Sequence, residues 1–454
     1  MRADVVVIGS GLGGLVCARL LAEQGCRVLV LEQATQPGGC TLAYRRRGVE
    51  LDTGLHYIGG LGDGESLHGI FRQLGLLDLP WQRMDDCFEH IRHEGHDYYF
   101  SQGFDNFATT LAKDFPEDAE GLRTIASLLR QTASASAHDE QFQQQIETSA
   151  WDFLCQTIHN PLLREILCVP ISLKGEMRKE SLPLFTWLHV NSGCIESAWR
   201  LKSSGNQIVN VLIDAIQKRG GEVKTRQKVV ELVQEEGRIT RAVCADGNVY
   251  EADLFISDAH PAQTMQMVSG KAGIFGRRVS RLENTEGSFT VSLVLKSGVL
   301  PYFNYNQYLM RGEQRMLISA RTPEDNSHYA TVLDLLQPMS IHAFPRDEHY
   351  EESKQAHAEE AILWAEEAIP GLSGMVEHRY VSTPHTYKRY TLTPDGSSFG
   401  LRKDWRNPLT TFLSPRTPYA NLFLTGQSLM VHGMQGVTMA AADTVSTINA
   451  LLQS

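Results

Sequence analysis

Two hydrophobic periods follow each other at the start of the chain. Residues 5–8 form a continuous, mostly β-branched apolar run, which is typical of a strand buried on both faces of a parallel sheet. Apolar residues then recur at helical spacing across residues 12–20, Gly25 can end that helix, and residues 28–31 form a second apolar run. The pattern predicts a strand, a helix and a second, parallel strand.

Similar periods return in two later blocks. The first predicts a helix over 207–218, a strand from Val223, a hairpin of 229–233 with 240–245, and a strand over 254–257. The second predicts a buried strand over 422–424, a break at Gly426, and a helix of small residues that begins at Gly436. Strand, glycine turn and helix therefore recur near the carboxyl end.

The segments between these blocks have mixed patterns. We predict strands over 288–295 and 331–336 and a helix over 347–368. Residues 182–190 are rich in large apolar side chains, which could line an apolar tunnel, contact a membrane or simply pack in a core. Mixed strands with helical insertions indicate a substrate domain.

The turn after the first strand has the spacing Gly9-x-Gly11-x-x-Gly14. In a dinucleotide-binding turn, these glycines allow a tight bend, a close approach of backbone to diphosphate, and close packing of helix on strand. The phosphate then lies at the amino terminus of the helix, where free N–H groups and the helix dipole favour negative charge. Glu32, which follows the second strand, can accept hydrogen bonds from ribose hydroxyls. Glycine also suits an ordinary tight turn, but the first strand, the helix, the second strand and the terminal Glu32 all agree with a dinucleotide site.

The first turn does not distinguish FAD from a nicotinamide cofactor, so the choice depends on later segments. Gly38 and Gly39 could bring a second stretch of bare backbone to the cofactor, or could form an ordinary Pro-Gly-Gly turn. A helix starting at Gly436 and Val437 could direct its N–H groups at the pyrimidine edge of a flavin, or could only fill the core. Taken together, these segments favour FAD.

Composition excludes several other classes of protein. A chain of 454 residues is long enough for two domains, and its formal net charge of −11 disfavours nucleic acid as a partner. The eight cysteines have no Cys-x-x-Cys spacing, so we expect free thiols and no metal site. Since no long uncharged apolar stretch occurs, we expect a cytoplasmic protein that at most contacts a membrane peripherally.

The stretch "ELDTGLHYIGG", together with the glycine turns and Glu32, resembles the family of FAD enzymes that contains phytoene desaturases, carotenoid isomerases and retinol saturases. "DTGLHYIGG" is most similar to the retinol saturase branch. Desaturases of the family commonly have a proline-threonine pair where this chain has Leu55 and His56. The detailed likeness covers residues 1–62, roughly 200–262 and 420–454.

The resemblance implies an α/β fold, with an FAD-binding Rossmann-like domain of the glutathione-reductase and amine-oxidase type beside a mixed-sheet and helical substrate domain. The FAD-binding domain is expected in three parts, 1–69, 200–265 and 415–454, and the substrate domain in two, 70–199 and 266–414. The resemblance places the strand at Val229 and Val230 beside the adenine, and Asp52 and Gly54 near the flavin. His56 is then a catalytic candidate facing the substrate, or else a buried histidine bonded to a backbone carbonyl. The expected cofactor-binding residues are Gly9, Gly11, Leu12, Gly13, Gly14, Glu32, Gln33, Gly38, Gly39, Asp52, Gly54, Val229, Val230, Gly426, Gly436 and Val437.

The sequence contains no hydrolytic triad or metal-ligand cluster, so the flavin would supply the redox chemistry. By resemblance, the substrate is an apolar polyene or isoprenoid that is saturated, desaturated or isomerised at a carbon–carbon double bond, with saturation favoured. A redox partner or a quinone would exchange electrons with the flavin. Two alternatives are a flavin amine oxidase and a flavin-free prenyl-binding chaperone on the same fold, although the intact glycine turn disfavours the chaperone.

Overall fold

The computed structural model describes residues 2–134, 140–174, 178–270, 273–323 and 327–453. Its strands are β1 Arg2–Ile8, β2 Val28–Leu31, β3 Ala43–Arg46, β4 Val49–Asp52, β5 Ile58–Gly59, β6 Trp81–Arg83, β7 Cys87–His93, β8 His96–Ser101, β9 Ala198–Leu201, β10 Glu222–Lys224, β11 Val229–Glu235, β12 Arg238–Cys244, β13 Val249–Ser257, β14 Gly287–Leu295, β15 Asn306–Arg311, β16 Gln314–Ala320, β17 Val332–Met339, β18 Val376–Ser382 and β19 Leu422–Leu424.

The α-helices in those ranges are α1 Leu12–Glu23, α2 His68–Leu74, α3 Phe104–Asp114, α4 Ala119–Ser134, α5 Glu140–Ile146, α6 Ala150–Thr157, α7 Pro161–Lys174, α8 Leu184–Glu196, α9 Asn206–Gln217, α10 Pro261–Met267, α11 Ile274–Val279, α12 Tyr350–Ala365, α13 Leu372–Met375, α14 Pro384–Thr391, α15 Pro408–Thr411 and α16 Gly433–Leu452. Short 3₁₀ turns occur at Gly39–Thr41, Pro116–Asp118, Ile341–Ala343 and Pro394–Gly396.

A seven-stranded sheet carries the first glycine turn. Its order is β10-β2-β1-β13-β12-β11, with β19 paired to β13. Strands β10, β2, β1, β13 and β19 pair in parallel, and β11 to β13 form an antiparallel meander. Because parallel strands align their carboxyl ends, the turns after β1, β2, β13 and β19 meet at one edge.

The strands of this sheet are buried on both faces. Val5 and Val7 face a core built with α1, α9 and α16, whereas Val6 and Ile8 face a second core built with the meander. This two-sided burial explains why residues 5–8 are continuously apolar.

A second seven-stranded sheet has the order β18-β14-β17-β16-β15-β7-β8, and β7 and β15 are its only parallel pair among the described residues. Helix α12 packs in one core of this sheet, and helices α3, α4, α6, α7 and α8 pack in another. Large side chains of α8, including Leu184 and Trp187, are buried in the second of these cores. Most of residues 182–190 therefore pack in a protein core.

Most predicted elements are confirmed, with shifted ends. Strand β13 begins at Val249 rather than at residue 254, and α12 is shorter than the predicted 347–368.

All eight cysteines are free thiols. Within the described residues, no cluster of three or more His, Cys, Asp or Glu side chains is arranged to hold a metal ion. No helix of the described part combines the length and apolar character needed to span a bilayer.

Candidate cofactor and active site

The turn before α1 forms a cradle of bare backbone. Gly9 has a φ of +94°, and a Cβ atom on Gly14 would collide with the carbonyl oxygen of Gly9. A Cβ atom on Gly13 would lie 3.0 Å from the Cα atom of Gly426. The N-cap residue of α1 is Gly11, so no N-cap side chain bonds the first N–H groups of the helix. This arrangement admits an anionic ligand against the backbone.

Asp258, which the sequence analysis missed, projects its carboxylate into the same cradle. Its Oδ1 atom lies 2.5 Å from the positions that a Cβ atom would take on Gly13 and on Gly426. The backbone N–H of Gly14 donates a hydrogen bond to this carboxylate. Burial raises the pKa of Asp258 to about 7, and the negative charge of Glu32 adds to the increase. Its position directly after β13, at the carboxyl edge of the sheet, was the available signal.

Glu32 lies at the end of β2 and is 8% exposed. Its Oε2 atom accepts hydrogen bonds from the backbone N–H of Ser10 at 3.0 Å and from the Ser10 hydroxyl at 2.6 Å, and Oε1 accepts from Ala34 N–H at 2.7 Å. These bonds hold the carboxylate beside the cradle. The neighbouring Gln33 side chain instead donates to the carbonyl of Tyr390 at 3.0 Å.

The predicted adenine strand starts near Glu32. The backbone N–H of Gln227 donates to the Glu32 carbonyl at 2.7 Å, and β11 begins two residues later at Val229. Val229 is buried in the sheet core, whereas Val230 is 46% exposed. Contact of these two residues with adenine stays a prediction.

The Gly-Gly pair lies against the first cradle. Gly38 and Gly39 both have positive φ angles, +125° and +54°. A Cβ atom on Gly39 would lie 3.0 Å from the Cα atom of Gly11, and the Gly38 N–H donates to the Ser10 carbonyl at 3.1 Å. The fold therefore brings the two glycine turns together, as the sequence analysis expected for a cofactor site.

The carboxyl-terminal helix does not begin where the sequence predicted. It starts at Gly433, so Gly436 lies in its first turn and the free N–H groups belong to the residues before Gly436. A Cβ atom on Gly436 would collide with the carbonyl oxygen of Val431. Glycine is needed there because the preceding loop folds back onto the helix, and Val437 packs against the core shared with α1.

The segment after β4 contributes a buried network of charges. Asp52 accepts hydrogen bonds from the backbone N–H of Gly205 at 3.1 Å and from Arg321 Nη1 at 2.9 Å. Arg321 also donates through Nε and Nη2 to Asp334 Oδ2, at 3.0 and 2.9 Å. Burial raises the pKa of Asp52 to about 6 despite the Arg321 guanidinium. Since protein groups already engage its carboxylate, any cofactor contact at this position falls to the backbone.

His56 faces this network. Its Nδ1 atom lies 3.9 Å from Asp334 Oδ2, and its buried Nε2 atom has no hydrogen-bond partner among the described residues. Burial lowers the pKa of His56 to about 4, so the imidazole is neutral at pH 7. Asp334 is itself held by the hydroxyl of Ser292 at 2.5 Å. At 3.9 Å the Asp334 carboxylate lies beyond hydrogen-bond distance of the ring, and no described backbone carbonyl bonds to it either, so the alternative of a histidine held by a backbone carbonyl is not what the structure shows.

Arg321 and Asp334 escaped the sequence analysis. Asp334 lies in the predicted strand over 331–336, where a single acid among buried apolar residues was a usable signal. Nothing near Arg321 in the sequence indicated its role, because its partner Asp52 is 269 residues away.

Comparisons with known proteins show which proteins this chain resembles. In an alignment 521 residues long, the chain is 24% identical to the all-trans-retinol 13,14-reductase of Danio rerio, and the alignment covers 98% of this chain and 86% of that protein. It is 23% identical over 450 residues to prolycopene isomerase 2 of an Oncidium hybrid cultivar, covering 87% and 75%. Putrescine oxidase bound to putrescine shares the fold, with a TM-score of 0.73 at 15% identity and coverage of 99% of both chains.

The glycine cradle, the second glycine pair and Glu32 fit FAD, because bare backbone converges at the start of α1, where no N-cap side chain bonds the first N–H groups. The family model of flavin-containing amine oxidoreductases matches residues 12–449, a range that begins at the first residue of α1 and includes the second glycine pair and the Asp52 and His56 segment. The protein is therefore an FAD-dependent oxidoreductase and belongs to the family of flavin-containing amine oxidoreductases.

Proposed function

We propose that the protein acts on carbon–carbon double bonds of an apolar polyene or isoprenoid-like substrate, as a saturase, desaturase or isomerase. One observation carries the proposal: a chain with an FAD cradle aligns over 98% of its length with a retinol 13,14-reductase. The "DTGLHYIGG" likeness and this alignment favour saturation.

The cradle residues would hold the cofactor. N–H groups of Leu12 and Gly13 at the start of α1 would bind the diphosphate, Glu32 would accept hydrogen bonds from ribose hydroxyls, and Gly39 would leave bare backbone beside the cofactor. When bound, the flavin supplies hydride transfer to or from carbon. The protein then aligns the substrate, and burial of its apolar surface contributes about 25 cal/mol per Å².

His56 is the residue that we propose to hold or move a proton. Its ring lies beside Asp334, with 3.9 Å between Nδ1 and Oδ2, and Nε2 is buried without a described partner. Saturation of a double bond adds a hydride to one carbon and a proton to the other, so a group that relays a proton is needed on the substrate side. We also propose that a redox partner or a quinone exchanges electrons with the flavin, and that the protein contacts a membrane peripherally.

The test is a spectrum of the purified protein, followed by anaerobic reduction and addition of polyenes. Saturation predicts that the reduced flavin is reoxidised while the polyene gains two hydrogen atoms in mass. Desaturation predicts a loss of two hydrogen atoms with oxidised enzyme, and isomerisation predicts no change in mass. Flavin-loaded protein that alters no polyene would refute the proposal.

A flavin amine oxidase is the second candidate, favoured by the family model and by the putrescine oxidase fold. It predicts hydrogen peroxide from oxidised enzyme and simple amines such as putrescine. A colourless protein unable to take up FAD would instead support the prenyl-binding chaperone, which the intact glycine cradle disfavours.

A further inference from the structure

A second buried polar cluster lies apart from the His56 network. It consists of His189 on α8, His432 directly before α16, and Lys403, and these residues are 5%, 5% and 4% exposed. Helices α8 and α16 are in contact at the turn that follows each histidine, where Gly193 lies against the side chain of Gln435. The site is therefore built where two helices meet.

The histidines lack hydrogen-bond partners. Both ring nitrogens of His432 and the Nε2 atom of His189 are buried, and no group in the described ranges bonds to any of the three. Buried polar groups are almost always paired, because an unpaired one costs about 1–3 kcal/mol. The cluster is therefore incomplete without a polar partner.

Aromatic and aliphatic side chains surround the two imidazoles. The ring of Phe185 stacks on His189 at 5.5 Å between centroids, and Phe399 lies 5.1 Å from His432. Val431 packs with Phe185 in one small apolar cluster. The surroundings of the two imidazoles are therefore apolar, so the polar group that bonds to them would be the end of an otherwise apolar molecule.

Lys403 gives the cluster a charge. Its Nζ atom donates to the backbone carbonyls of Thr411, Ser428 and Leu429 at 2.8, 2.7 and 2.9 Å, and no described carboxylate pairs with it. Burial lowers the pKa of Lys403 to about 7, and burial together with Lys403 lowers that of His432 to about 3. A buried ammonium without a counter-charge favours an anion over a neutral group.

We infer that His189 and His432 bind the carboxylate end of an apolar, unsaturated acid. Each neutral imidazole donates one N–H to a carboxylate oxygen, and Lys403 stabilises the negative charge from behind while keeping its carbonyl partners. This inference rests on the proposed function and narrows its substrate class from polyenes in general to polyene acids.

The first experiment uses flavin-loaded wild-type protein and three matched probes. Retinoic acid, retinol and an unsubstituted polyene hydrocarbon are titrated while the absorbance of the ligand and of the flavin is recorded. We expect the acid to bind at least about tenfold more tightly than the alcohol, with the hydrocarbon weakest. Equal affinities for acid and alcohol would overturn the inference.

The second experiment changes the histidines. His189→Phe and His432→Phe should each lower the preference for acid over alcohol to no more than about twofold. The Asn variants keep one N–H donor and should retain part of the preference, which separates the hydrogen bond from packing. His349→Asn is the control, because His349 is also a helix N-cap residue but has an exposed side chain.

The outcomes separate this inference from the proposed function. Protein that holds flavin but binds no polyene overturns both. Protein that binds polyenes without regard to the carboxylate, or a variant that keeps the preference, overturns only the inference. Loss of flavin from His432→Phe with unchanged acid binding would assign that imidazole to the cofactor and would also overturn it.

Discussion

The substitution Asp258→Asn tests how the cradle receives its cofactor. Asp258 places a carboxylate where the glycines would admit the FAD diphosphate, and like charges so close together cannot both be stable. Asparagine has nearly the same shape and can still accept the Gly14 N–H, but it carries no charge. The variant therefore removes the repulsion and keeps the hydrogen bond.

The magnitude follows from the pKa of Asp258, which is about 7. If only the protonated carboxyl admits the diphosphate, the Kd for FAD rises about tenfold for each pH unit above 7 and about a hundredfold from pH 6 to pH 9. Burial raises the pKa of the two facing thiols, Cys17 to about 12 and Cys40 to about 11, so neither titrates in this range. Glu32 also faces Asp258 and favours its protonated form. At pH 8 the Asn variant should bind FAD about tenfold more tightly than wild type.

The stability of the FAD-free protein should change with the same sign. A carboxyl group whose pKa is raised on folding favours the native state below its ordinary pKa of 3.8, and that contribution is lost as pH rises towards 7. Asparagine does not ionise, so the variant does not lose stability in this way as pH rises. Its FAD-free form should therefore have a higher Tm than FAD-free wild type at pH 7 to 8.

The assay is quenching of FAD fluorescence by flavin-stripped protein between pH 6 and pH 9. Asp253→Asn is the matched control, because Asp253 lies in β13, the strand that Asp258 directly follows, and has an exposed side chain. The reasoning is refuted if the wild-type Kd does not change with pH, or if Asp258→Asn binds FAD more weakly than wild type.

Three further predictions test other parts of the site. Gly14→Ala should abolish flavin retention while Gly69→Ala, which has open space, should not, as judged by the absorbance of purified protein. Arg321→Met should lower the free energy of unfolding in urea by about 3–5 kcal/mol, because it leaves two buried carboxylates unpaired, and adding Asp334→Asn should restore part of the loss. An unchanged midpoint of unfolding in urea would show that Arg321 does not stabilise these two carboxylates. His56→Gln should reduce turnover of a polyene about tenfold or more with normal flavin content, and unaltered turnover would remove His56 from the mechanism.

Local signals in the sequence predicted much of the FAD-binding half. The continuous runs over residues 5–8 and 28–31 and the helical spacing between them depend on neighbours close in the chain, and the two strands and the helix that they predict are confirmed. The helix start at Gly436 was wrong because glycine has two uses, freeing an N–H at a helix end and allowing a close contact. At this position only the second applies, against Val431.

The sequence by itself determined the strand, glycine turn and helix units, since hydrophobic period and turn chemistry act between residues close in the chain. Only the tertiary structure decided which polar groups meet. Arg321 joins carboxylates from β4 and β17, and Asp258 reaches the cradle of α1 from the end of β13. These contacts depend on strand order, which brings distant segments together. Burial then raises or lowers the pKa of a group, and it does so only once those segments have packed around that group.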